Sequence, residues 1–428
     1  MRLGVSILEL LHTSDLHLVP EGFENTPLEE AFYSVLEEIA GLAVDHKLKY
    51  LLIAGDFFDK PNPSFHVVLR TVGVLRRLRE SGVRVVVVPG NHDVSRAKTS
   101  ILNVLAEAGL VNLLDFNEES GWLILHPLAF EDDKLVFYGI PGFRGSSSRE
   151  LVYLKQGLIK FKDIANYSGY DVIILAHINT KFAGYDPSKY SSRYGLLYMD
   201  YEDLLRSLPT GTRYVALGHI HLPVPLDRVF RGNIAYPGAP IGMDVNDLLE
   251  THELAKIGVR RRVLRAELAS EIPVVKSLEL ESAPRVYYKR LEAKTPEDVK
   301  ARIYEALSEL EPAKYPVLLV DVVGLDKVSV DLETFRQEVM KRKKVYIRVR
   351  QFSPPKDLVE LAAFTDLMTP VKELSIDEIE LAVIRELASK KKLNIPAEKL
   401  HWIINYLGSS HDYSPEKLLH DVLKELGE

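Results

Sequence analysis

The N-terminal part of the chain alternates short apolar runs with helical patterns, and this alternation constrains the fold more than any other feature. Residues 7–13, 50–54 and 83–88 are short, rich in Val, Ile and Leu, and followed by polar or turn residues, which predicts buried strands. Residues 28–46 and 64–81 place apolar side chains at helical spacing. A β-α-β-α-β order requires parallel strands joined by right-handed crossovers, so we predict an α/β fold.

The pattern changes further along the chain. Strands and turns continue to about residue 270, with strands predicted at 122–125, 135–138, 171–176, 214–217, 224–229 and 258–264. A compact α+β pattern then restarts, with strands at 286–289, 317–323 and 345–349 and helices at 296–310 and 332–341. We therefore predict a core at 1–270, an α+β cap at 282–352, a linker at 353–374 that opens with a Ser-Pro-Pro turn, and a helical segment at 375–428.

The composition is that of a globular protein, since 46% of the 428 residues are hydrophobic and 27% are charged. With 54 Lys and Arg against 61 Asp and Glu, the net charge of −7 excludes binding of nucleic acid through overall positive charge and leaves local surfaces for it. The absence of cysteine excludes thiolate catalysis and Cys-ligated zinc. No apolar run reaches the length of a membrane span. We predict a cytoplasmic protein that does not bind membranes.

Five short polar segments follow predicted apolar strands. They contain, in chain order, Asp15 and His17, then Asp56, then Asn91, His92 and Asp93, then His177, and finally His219 and His221. In an open α/β sheet the carboxyl ends of the strands border one crevice, so we expect these segments to converge. Asp15 and His17 are two residues apart, which on an extended strand places both side chains on one face. Carboxylate, amide and imidazole groups together suit Mn, Fe, Co or Zn.

The whole set carries this prediction, because each segment alone also occurs as ordinary structure. A single histidine at a strand end is usually a satisfied structural residue, and a Gly-Asn-His-Asp sequence alone can be a polar turn. Asp56 can bridge two ions because a carboxylate has two oxygens. Two dications held by the two carboxylates Asp15 and Asp56 leave about two positive charges, which suits a phosphate anion. The sequence therefore predicts a dinuclear metal site for a phosphate ester.

The segments resemble the signature of the calcineurin-like metallophosphoesterases, D-x-H, G-D-x-x-D, G-N-H-D, H and G-H-x-H. Within that family the chain is similar to the SbcD / Mre-eleven double-strand-break repair nucleases of archaeal or bacterial type. The narrower similarity lies in residues 11–18 (LHTSDLHL), 218–221 (GHIH) and 236–240 (YPGAP), and in the α+β unit after the core. It covers about residues 7–350. The family implies a β-sandwich core flanked by helices.

The resemblance also implies residue roles. One ion would be held by Asp15, His17, Asp56 and His221, and the other by Asp56, Asn91, His177 and His219. His92 would be the catalytic histidine, which contacts the phosphate and donates a proton to the leaving oxygen, and Asp93 would orient His92 through its second ring nitrogen. Many members carry a further histidine where this chain has Asp59. We expect Asp59 to cap the following helix or to support a ligand.

The implied activity is that of a DNA nuclease with two Mn²⁺ or other divalent ions, acting as a 3′–5′ exonuclease and a single-strand endonuclease in double-strand-break repair. Its substrates would be DNA ends and single-stranded DNA, and the cap would contact DNA. The implied partners are a second copy of the chain, bound through helices near 64–81 and 99–108, and an SbcC / Rad-fifty type ABC ATPase. The residues of these two helices, taken without the resemblance, favour burial of their apolar faces in the core. The ATPase would bind the segment at 375–428, which could equally form a bundle of its own. The protein would be associated with the nucleoid.

Two other activities remain open from the sequence, a phosphatase or small-molecule phosphodiesterase of the same family and a non-catalytic DNA-tethering scaffold. A minimal phosphatase would lack the cap and the tail, and a scaffold would be expected to lack a ligand, whereas every ligand is present here. Basic residues near 70–84, 260–265 and 341–350 are either solvated surface or DNA contacts. The tyrosines between 185 and 194 are either surface or a platform for an unpaired base.

Overall fold

The computed structural model describes residues 8–94, 99–144, 148–323 and 330–351. The compact unit that contains them ends at Gln351. The predicted linker at 353–374 and helical segment at 375–428 lie outside the described residues. The strands are β1 Glu9–Thr13, β2 Tyr50–Ala54, β3 Arg84–Val88, β4 Asn112–Leu113, β5 Phe116–Glu119, β6 Trp122–Leu125, β7 Leu128–Phe130, β8 Leu135–Ile140, β9 Ile159–Phe161, β10 Asp171–His177, β11 Thr180–Lys181, β12 Met199–Asp200, β13 Thr212–Gly218, β14 Val229–Arg231, β15 Ile234–Ala235, β16 Arg262–Glu267, β17 Val274–Glu279, β18 Arg285–Glu292, β19 Pro316–Val323 and β20 Tyr346–Gln351. The α-helices are α1 Glu29–Asp45, α2 Phe65–Glu80, α3 Ile101–Glu107, α4 Arg149–Lys155, α5 Ser191–Tyr194, α6 Tyr201–Ser207, α7 Val245–Lys256, α8 Pro296–Ser308 and α9 Val330–Lys343.

Two sheets form a sandwich. The first has the strand order β14-β17-β16-β1-β2-β3-β4, in which β1 to β4 are parallel and the other three strands are antiparallel to their neighbours. The second has the order β15-β13-β10-β8-β7, with an antiparallel pair only between β8 and β7. The parallel arrangement predicted for β1, β2 and β3 is confirmed. Their carboxyl ends therefore lie at one edge of the first sheet.

The strands of the first sheet are buried on both faces. In β2, Leu52 lies between the sheets, in one apolar cluster with Phe137 and Leu175 of the second sheet. Its neighbours Leu51 and Ile53 belong to the cluster on the outer face, which contains the buried residues of α1 and α2. Burial of both faces explains why these strands are continuous apolar runs rather than alternating ones. The predicted α/β fold, a β-sandwich flanked by helices, is confirmed.

Strands β18 to β20 and helices α8 and α9 form a second β-α-β-α-β unit, which we call the cap. Its strands are parallel neighbours in chain order. The cap packs on α1, since the hydroxyl groups of Tyr315 and Ser34 lie 2.6 Å apart. The Glu38 carboxylate accepts the backbone N–H groups of Glu281 and Ser282 at 2.8 and 2.7 Å. The predicted division of the chain into domains stays a prediction.

The structure differs from the sequence predictions after residue 224. The strand predicted at 224–229 is Val229–Arg231, and the strand predicted at 258–264 is Arg262–Glu267. Helix α7 and strand β17 are absent from the prediction, and because β17 pairs with β16, the first sheet runs past the predicted core boundary at 270. Turn-forming residues surround both elements and hide their short periodicity. Within the described parts of the chain, no helix is both long and apolar enough to cross a membrane.

Candidate metal centre

The carboxyl ends of β1, β2 and β3 in the first sheet meet those of β10 and β13 in the second. The structure brings all five polar segments together there. Three groups of ligand atoms, each with all its atoms within 4.8 Å of one another, are Asp15 with His17 and His221, His17 with Asp56 and His92, and Asp15 with Asp56 and His177. Asp56 and Asp15 each belong to two groups. The two sheets therefore contribute to one centre rather than to separate sites.

The first ligands lie on left-handed backbone beyond the strand ends. Strand β1 ends at Thr13, and Asp15, His17 and Asp56 have φ angles of 52°, 38° and 49°. The predicted placement of Asp15 and His17 on an extended strand is therefore wrong. Their backbones are held instead by hydrogen bonds, from Asp15 N to Gly55 O and from His17 N to Asp56 O, each 3.0 Å long. Side-chain-bearing residues in this region are strained, and such strain clusters at functional sites.

Two glycines let the backbone approach the ligands closely. A Cβ at Gly55, whose φ is +90°, would lie 2.2 Å from Nδ1 of His177. A Cβ at Gly90 would lie 2.1 Å from Oδ1 and 2.3 Å from the backbone nitrogen of Asp56. Both distances are far below any allowed contact. These positions therefore require glycine because of ligand packing.

On one side of the centre, two imidazoles face each other. Nε2 of His17 lies 3.3 Å from Nε2 of His221 and 3.5 Å from Oδ2 of Asp56. Nδ1 of His221 lies 2.9 Å from a carboxylate oxygen of Asp247, so this nitrogen carries the proton and Nε2 presents a lone pair. A neutral His221 thus directs the lone pair of Nε2 toward Nε2 of His17, beside the Asp56 carboxylate. A cation between these atoms would be bound by both imidazoles and by the carboxylate.

The other side repeats this arrangement. Nδ1 of His177 donates to the backbone oxygen of Ala54 at 3.0 Å, which leaves Nε2 facing Oδ1 of Asn91 at 3.0 Å and Oδ2 of Asp56 at 3.2 Å. All three facing atoms are acceptors when the imidazole is neutral. Asp56 Oδ2 thus approaches imidazoles on both sides, as a bridging carboxylate must. The donor set of imidazole, carboxylate and amide oxygen fits two divalent ions.

The pKa values of the buried groups also indicate a site for cations. Burial opposes protonation of His177, but the Asp56 carboxylate outweighs it and raises the pKa of His177 to about 10. Burial lowers the pKa of His219 to about 3 and holds that of His221 well below its usual value. Burial also raises the pKa of Asp15. Burial also opposes protonation of His17, but the carboxylates of Asp59, Asp56 and Asp15 outweigh it and raise the pKa of His17. Without bound cations, the buried site therefore favours protons on His177 and His17, which metal ions would replace.

His92 and Asp93 are both near the centre, but their contact differs from the expected one. The Asp93 carboxylate accepts backbone N–H groups from Phe57, Phe58 and Gly90 at 3.1, 3.1 and 2.9 Å. It thereby fixes the loop that carries Asp56, and its proximity to three amide donors explains its burial. Nδ1 of His92 instead donates to the backbone oxygen of a residue on that loop, Asp59, at 2.9 Å. The orienting role expected of Asp93 thus falls to Asp59.

Asp59 supports two imidazoles rather than a helix. Its Oδ1 lies 3.7 Å from Nδ1 of His17 and 3.7 Å from Nδ1 of His92. The residue that caps α2 is Ser64, whose hydroxyl accepts the N–H of Val67. Of the two roles expected for Asp59, the structure therefore favours support of a ligand. The outer part of the centre opens into a cleft of about 520 Å³ lined by Asp59, Lys60, Pro61, Asn62, Asn91, His92 and Arg144.

The family model for calcineurin-like phosphoesterases matches residues 8–223, which is half of the chain and includes all five polar segments. The chain belongs to this family. The predicted resemblance is confirmed.

Curated proteins similar to this chain include two archaeal DNA double-strand break repair proteins Mre11. The protein of Saccharolobus solfataricus is 22% identical over 288 residues, which are 65% of each chain. The protein of Aeropyrum pernix is 25% identical over 280 residues, 65% of this chain and 62% of its own. The match thus spans less than two thirds of these relatives. A solved dimetal phosphatase from Danio rerio is 12% identical, with a TM-score of 0.36 over 64% of this chain and 97% of its own.

Several residues behind the ligands were not predicted from the sequence. Asp247 of α7 is fully buried beside His221, and Arg193 contacts both Asp247 and Glu250. The hydroxyl of Tyr194 accepts the backbone N–H of His221 at 3.1 Å. The available signal was chemical: a histidine that binds a metal through one nitrogen needs a hydrogen-bond acceptor for the other.

Some of the tyrosine and arginine side chains that the sequence left as candidate nucleic-acid contacts are buried in the protein. Tyr185, Tyr190 and Tyr194 are buried, so they cannot serve as an exposed platform for a base. Arg261 and Arg262 are also buried, and they donate to backbone oxygens. Buried groups of this kind hold the fold rather than contact a nucleic acid.

Proposed function

We propose that the protein is a metal-dependent DNA nuclease that processes DNA ends and single strands during double-strand-break repair. One observation carries the proposal: the ligand side chains from five strand ends surround one centre, with His92 at its open side. The named function of the curated relatives supports the choice of DNA. The finer activities, 3′–5′ exonuclease and single-strand endonuclease, belong to the proposal and rest on the resemblance.

In this proposal Asp15, His17, Asp56 and His221 hold one ion, and Asp56, Asn91, His177 and His219 hold the other. The ions are Mn²⁺ or another divalent metal, which would activate water and neutralise phosphate charge. Burial of the ligands in the protein excludes bulk water from this side of the centre. The glycines at 55 and 90 allow the ligands to pack closely, and the Asp93 carboxylate fixes the Asp56 loop.

His92 has the geometry of a group that acts on the substrate. Its Nδ1 is held by the Asp59 carbonyl, so Nε2 is the nitrogen left for the substrate, and a third of the side chain is exposed to the cleft. In its protonated form His92 can donate Nε2–H to a phosphate oxygen or to the leaving oxygen. Lys60 and Arg144 line the same cleft and give it positive charge beside a phosphodiester backbone.

The decisive experiment compares oligonucleotide cleavage by the wild type and by His92→Ala with added Mn²⁺. We expect cleavage to fall by about 10²- to 10⁴-fold, the usual contribution of a general acid, while DNA binding persists. The matched control is His126→Ala, which removes a surface imidazole bonded to Asn117 and should leave cleavage unchanged. Wild-type cleavage by His92→Ala would contradict the assigned role.

The same assay separates the alternative enzyme. A phosphatase or small-molecule phosphodiesterase would hydrolyse a generic phosphate monoester or small diester in preference to the oligonucleotide. The proposed nuclease cleaves the oligonucleotide and loses this activity when the metal is chelated. Protein that binds DNA ends with its metal and cleaves nothing would support the scaffold instead.

We also propose that two copies associate through α2 and α3. Phe65 and Leu69 lie one turn apart on α2 with 93% and 71% of their surfaces exposed, and Val104 of α3 is 60% exposed. Exposed apolar side chains at this spacing fit a helical interface. Leu69→Glu should shift the sedimentation profile to the monomer, whereas Leu196→Glu, at an equally exposed leucine elsewhere, should not. A monomeric wild type would contradict this part.

The remaining parts of the proposal concern surfaces and partners. Lys341, Arg342 and Lys343 end α9 and are exposed, which makes the cap a candidate DNA contact. An SbcC / Rad-fifty type ABC ATPase is the proposed partner, and residues 375–428 are its proposed binding segment, on the resemblance alone. The proposed cytoplasmic, nucleoid-associated location follows from the proposed substrate.

A further inference from the structure

Three imidazoles of the centre donate to backbone carbonyl oxygens. The pairs are His177 Nδ1 with Ala54 O at 3.0 Å, His92 Nδ1 with Asp59 O at 2.9 Å, and His219 Nε2 with Tyr194 O at 3.5 Å. A neutral carbonyl selects which ring nitrogen carries the proton. The nearest carboxylates, Asp59 Oδ1 at 3.7 Å from Nδ1 of His92 and Asp15 Oδ1 at 3.9 Å from Nδ1 of His177, lie beyond hydrogen-bond distance.

His221 is held differently, by a carboxylate. Its Nδ1 lies 2.9 Å from Oδ2 and 3.1 Å from Oδ1 of Asp247, which is fully buried in the first turn of α7. Its other nitrogen, Nε2, is the one that faces His17. A carboxylate behind a metal-binding imidazole fixes the ring and makes the ligating nitrogen more basic.

The charge of Asp247 is matched within the protein. Arg193 donates to its carboxylate and, at 2.6 Å, to Glu250. Arg261 donates to the backbone oxygens of Asp247 and His221 at 2.8 and 2.6 Å, which ties α7 to the strand-end segment. Arg193 thus pairs with the Asp247 carboxylate, and Arg261 anchors the backbone of the same residue. These contacts fix the position of Asp247 relative to His221.

We propose that Asp247 is a positioning residue that selects Nε2 of His221 as a ligand and strengthens the metal position to which His221 belongs. The position formed with His177 and His219 depends on carbonyl oxygens instead. The two ions are therefore bound with different affinities, and Asp247 controls one of them. This inference rests on the proposed two-ion centre.

A purely structural role for Asp247 predicts something else. The Asp244 carboxylate accepts the N–H of Asp247 at 2.8 Å, and Asp247 accepts the N–H of Met243 at 2.9 Å, so both residues also cap α7. Loss of a cap lowers stability without changing metal affinity. Asp244→Ala removes the cap while leaving the carboxylate behind His221, and it therefore serves as the control for this role.

The test is a titration of metal-free, full-length protein with Mn²⁺, in which electron paramagnetic resonance measures the free ion. We expect the wild type to bind two ions. Asp247→Asn, which keeps an oxygen in place but removes the charge, should bind one ion as the wild type does and the other about 10- to 100-fold more weakly. Glu250→Gln, which changes the same arginine network without touching an imidazole, and Asp244→Ala should both bind two ions with wild-type affinity.

The titration distinguishes failure of the two-ion centre from failure of the role of Asp247. Wild-type protein that does not bind two ions contradicts the proposed centre itself. Two ions bound to Asp247→Asn with wild-type affinity contradict the role of Asp247 and leave the centre standing. If Asp247→Asn does not fold, ¹⁵N-histidine spectra of the metal-free wild type decide, with the His221 signal assigned by its loss in His221→Gln. The Nδ1–H form of His221 supports the proposal, and the Nε2–H form overturns it.

Discussion

The molecule contains two β-α-β-α-β units of the same topology, one that carries the metal ligands and one that forms the cap. In the first, β1, β2 and β3 are parallel neighbours, and in the cap β18, β19 and β20 are parallel neighbours in the same way. The carboxylates of the first unit lie beyond the strand ends. The buried carboxylate of the cap, Asp321, lies within β19 and is paired with Arg350 at 2.5 Å. The shared topology places parallel strand ends at one edge of each sheet. The residues at those strand ends determine whether a metal site can form there.

The second difference lies in what covers each sheet. The first sheet is faced by β10 and β13, whose ends add His177 and His219 to Asp15 and Asp56. The cap sheet has no such second sheet in the part of the chain that the structure describes. The proposed two-ion centre needs ligands from several directions, so one β-α-β-α-β unit is insufficient. The following predictions test this contrast in order of decreasing effect.

The largest effect is expected from Gly90→Ala. A Cβ at this position would lie 2.1 Å from Oδ1 of Asp56, so the bridging carboxylate must move. Displacement of a catalytic group by about 1 Å can cost about 100-fold in rate. We expect a loss of this size in the proposed Mn²⁺-dependent cleavage of DNA, and weaker Mn²⁺ binding. Gly41→Ala, in α1 and with no atom within 4 Å of the added Cβ, should keep both. An equal loss in the two variants would contradict this explanation.

An intermediate effect, on stability alone, is expected from Asp321→Ala in the cap. Asp321 is 1% exposed and accepts hydrogen bonds from Arg350 and from the hydroxyl of Tyr288, so its removal takes away a buried acceptor that both side chains share. We expect the free energy of unfolding to fall by about 2–3 kcal/mol, with Mn²⁺ affinity unchanged. Glu297→Ala at the cap surface should change it by less than about 0.5 kcal/mol. Reduced Mn²⁺ affinity in Asp321→Ala would show that the two units are not separable in this way.

The smallest effect concerns the loss of stability in acid. We expect buried histidines to cause such a loss only in the first unit, because residues 282–352 contain no histidine. His12 is buried between the Tyr214 hydroxyl and the Leu217 carbonyl, and burial lowers its pKa to about 3. The unfolded chain takes up a proton near pH 6.5 and the folded protein does not until about pH 3, so stability is lost as the pH falls through this range. The loss attributable to His12 should reach about 2 kcal/mol at pH 5. Denaturant unfolding of His12→Gln should show a shallower decline than the wild type between pH 7 and 5, and equal slopes would contradict this.

Much of this arrangement was predictable because it depends on local patterns. The apolar runs of β1, β2 and β3 are buried on both faces, and such runs are visible in a sequence. Helix α2, Phe65–Glu80, lies within the predicted range 64–81, and Ser64 is its N-cap. Helix α7 was missed because its apolar residues are few and turn-forming residues precede it. Asp247 was missed together with that helix.

The contacts of His92 show where sequence patterns stop. The family resemblance implied Asp93 as its partner, yet the Asp93 carboxylate accepts three backbone N–H groups, and the Asp59 carbonyl from another segment takes its place. Hydrogen-bond partners are set by which groups are left unsatisfied after packing. That cannot be read from spacing along the chain.

The sequence by itself determined the kind of fold and which residues are candidate ligands, because strand burial and residue type can be read from short stretches of the chain. Only the tertiary structure decided how those ligands are oriented. Asp56 reaches imidazoles on both of its sides because two sheets pack face to face, and His221 gains the Asp247 carboxylate because α7 folds back across the strand end. Both contacts join residues distant in the chain, and only packing of the whole core fixes such distances.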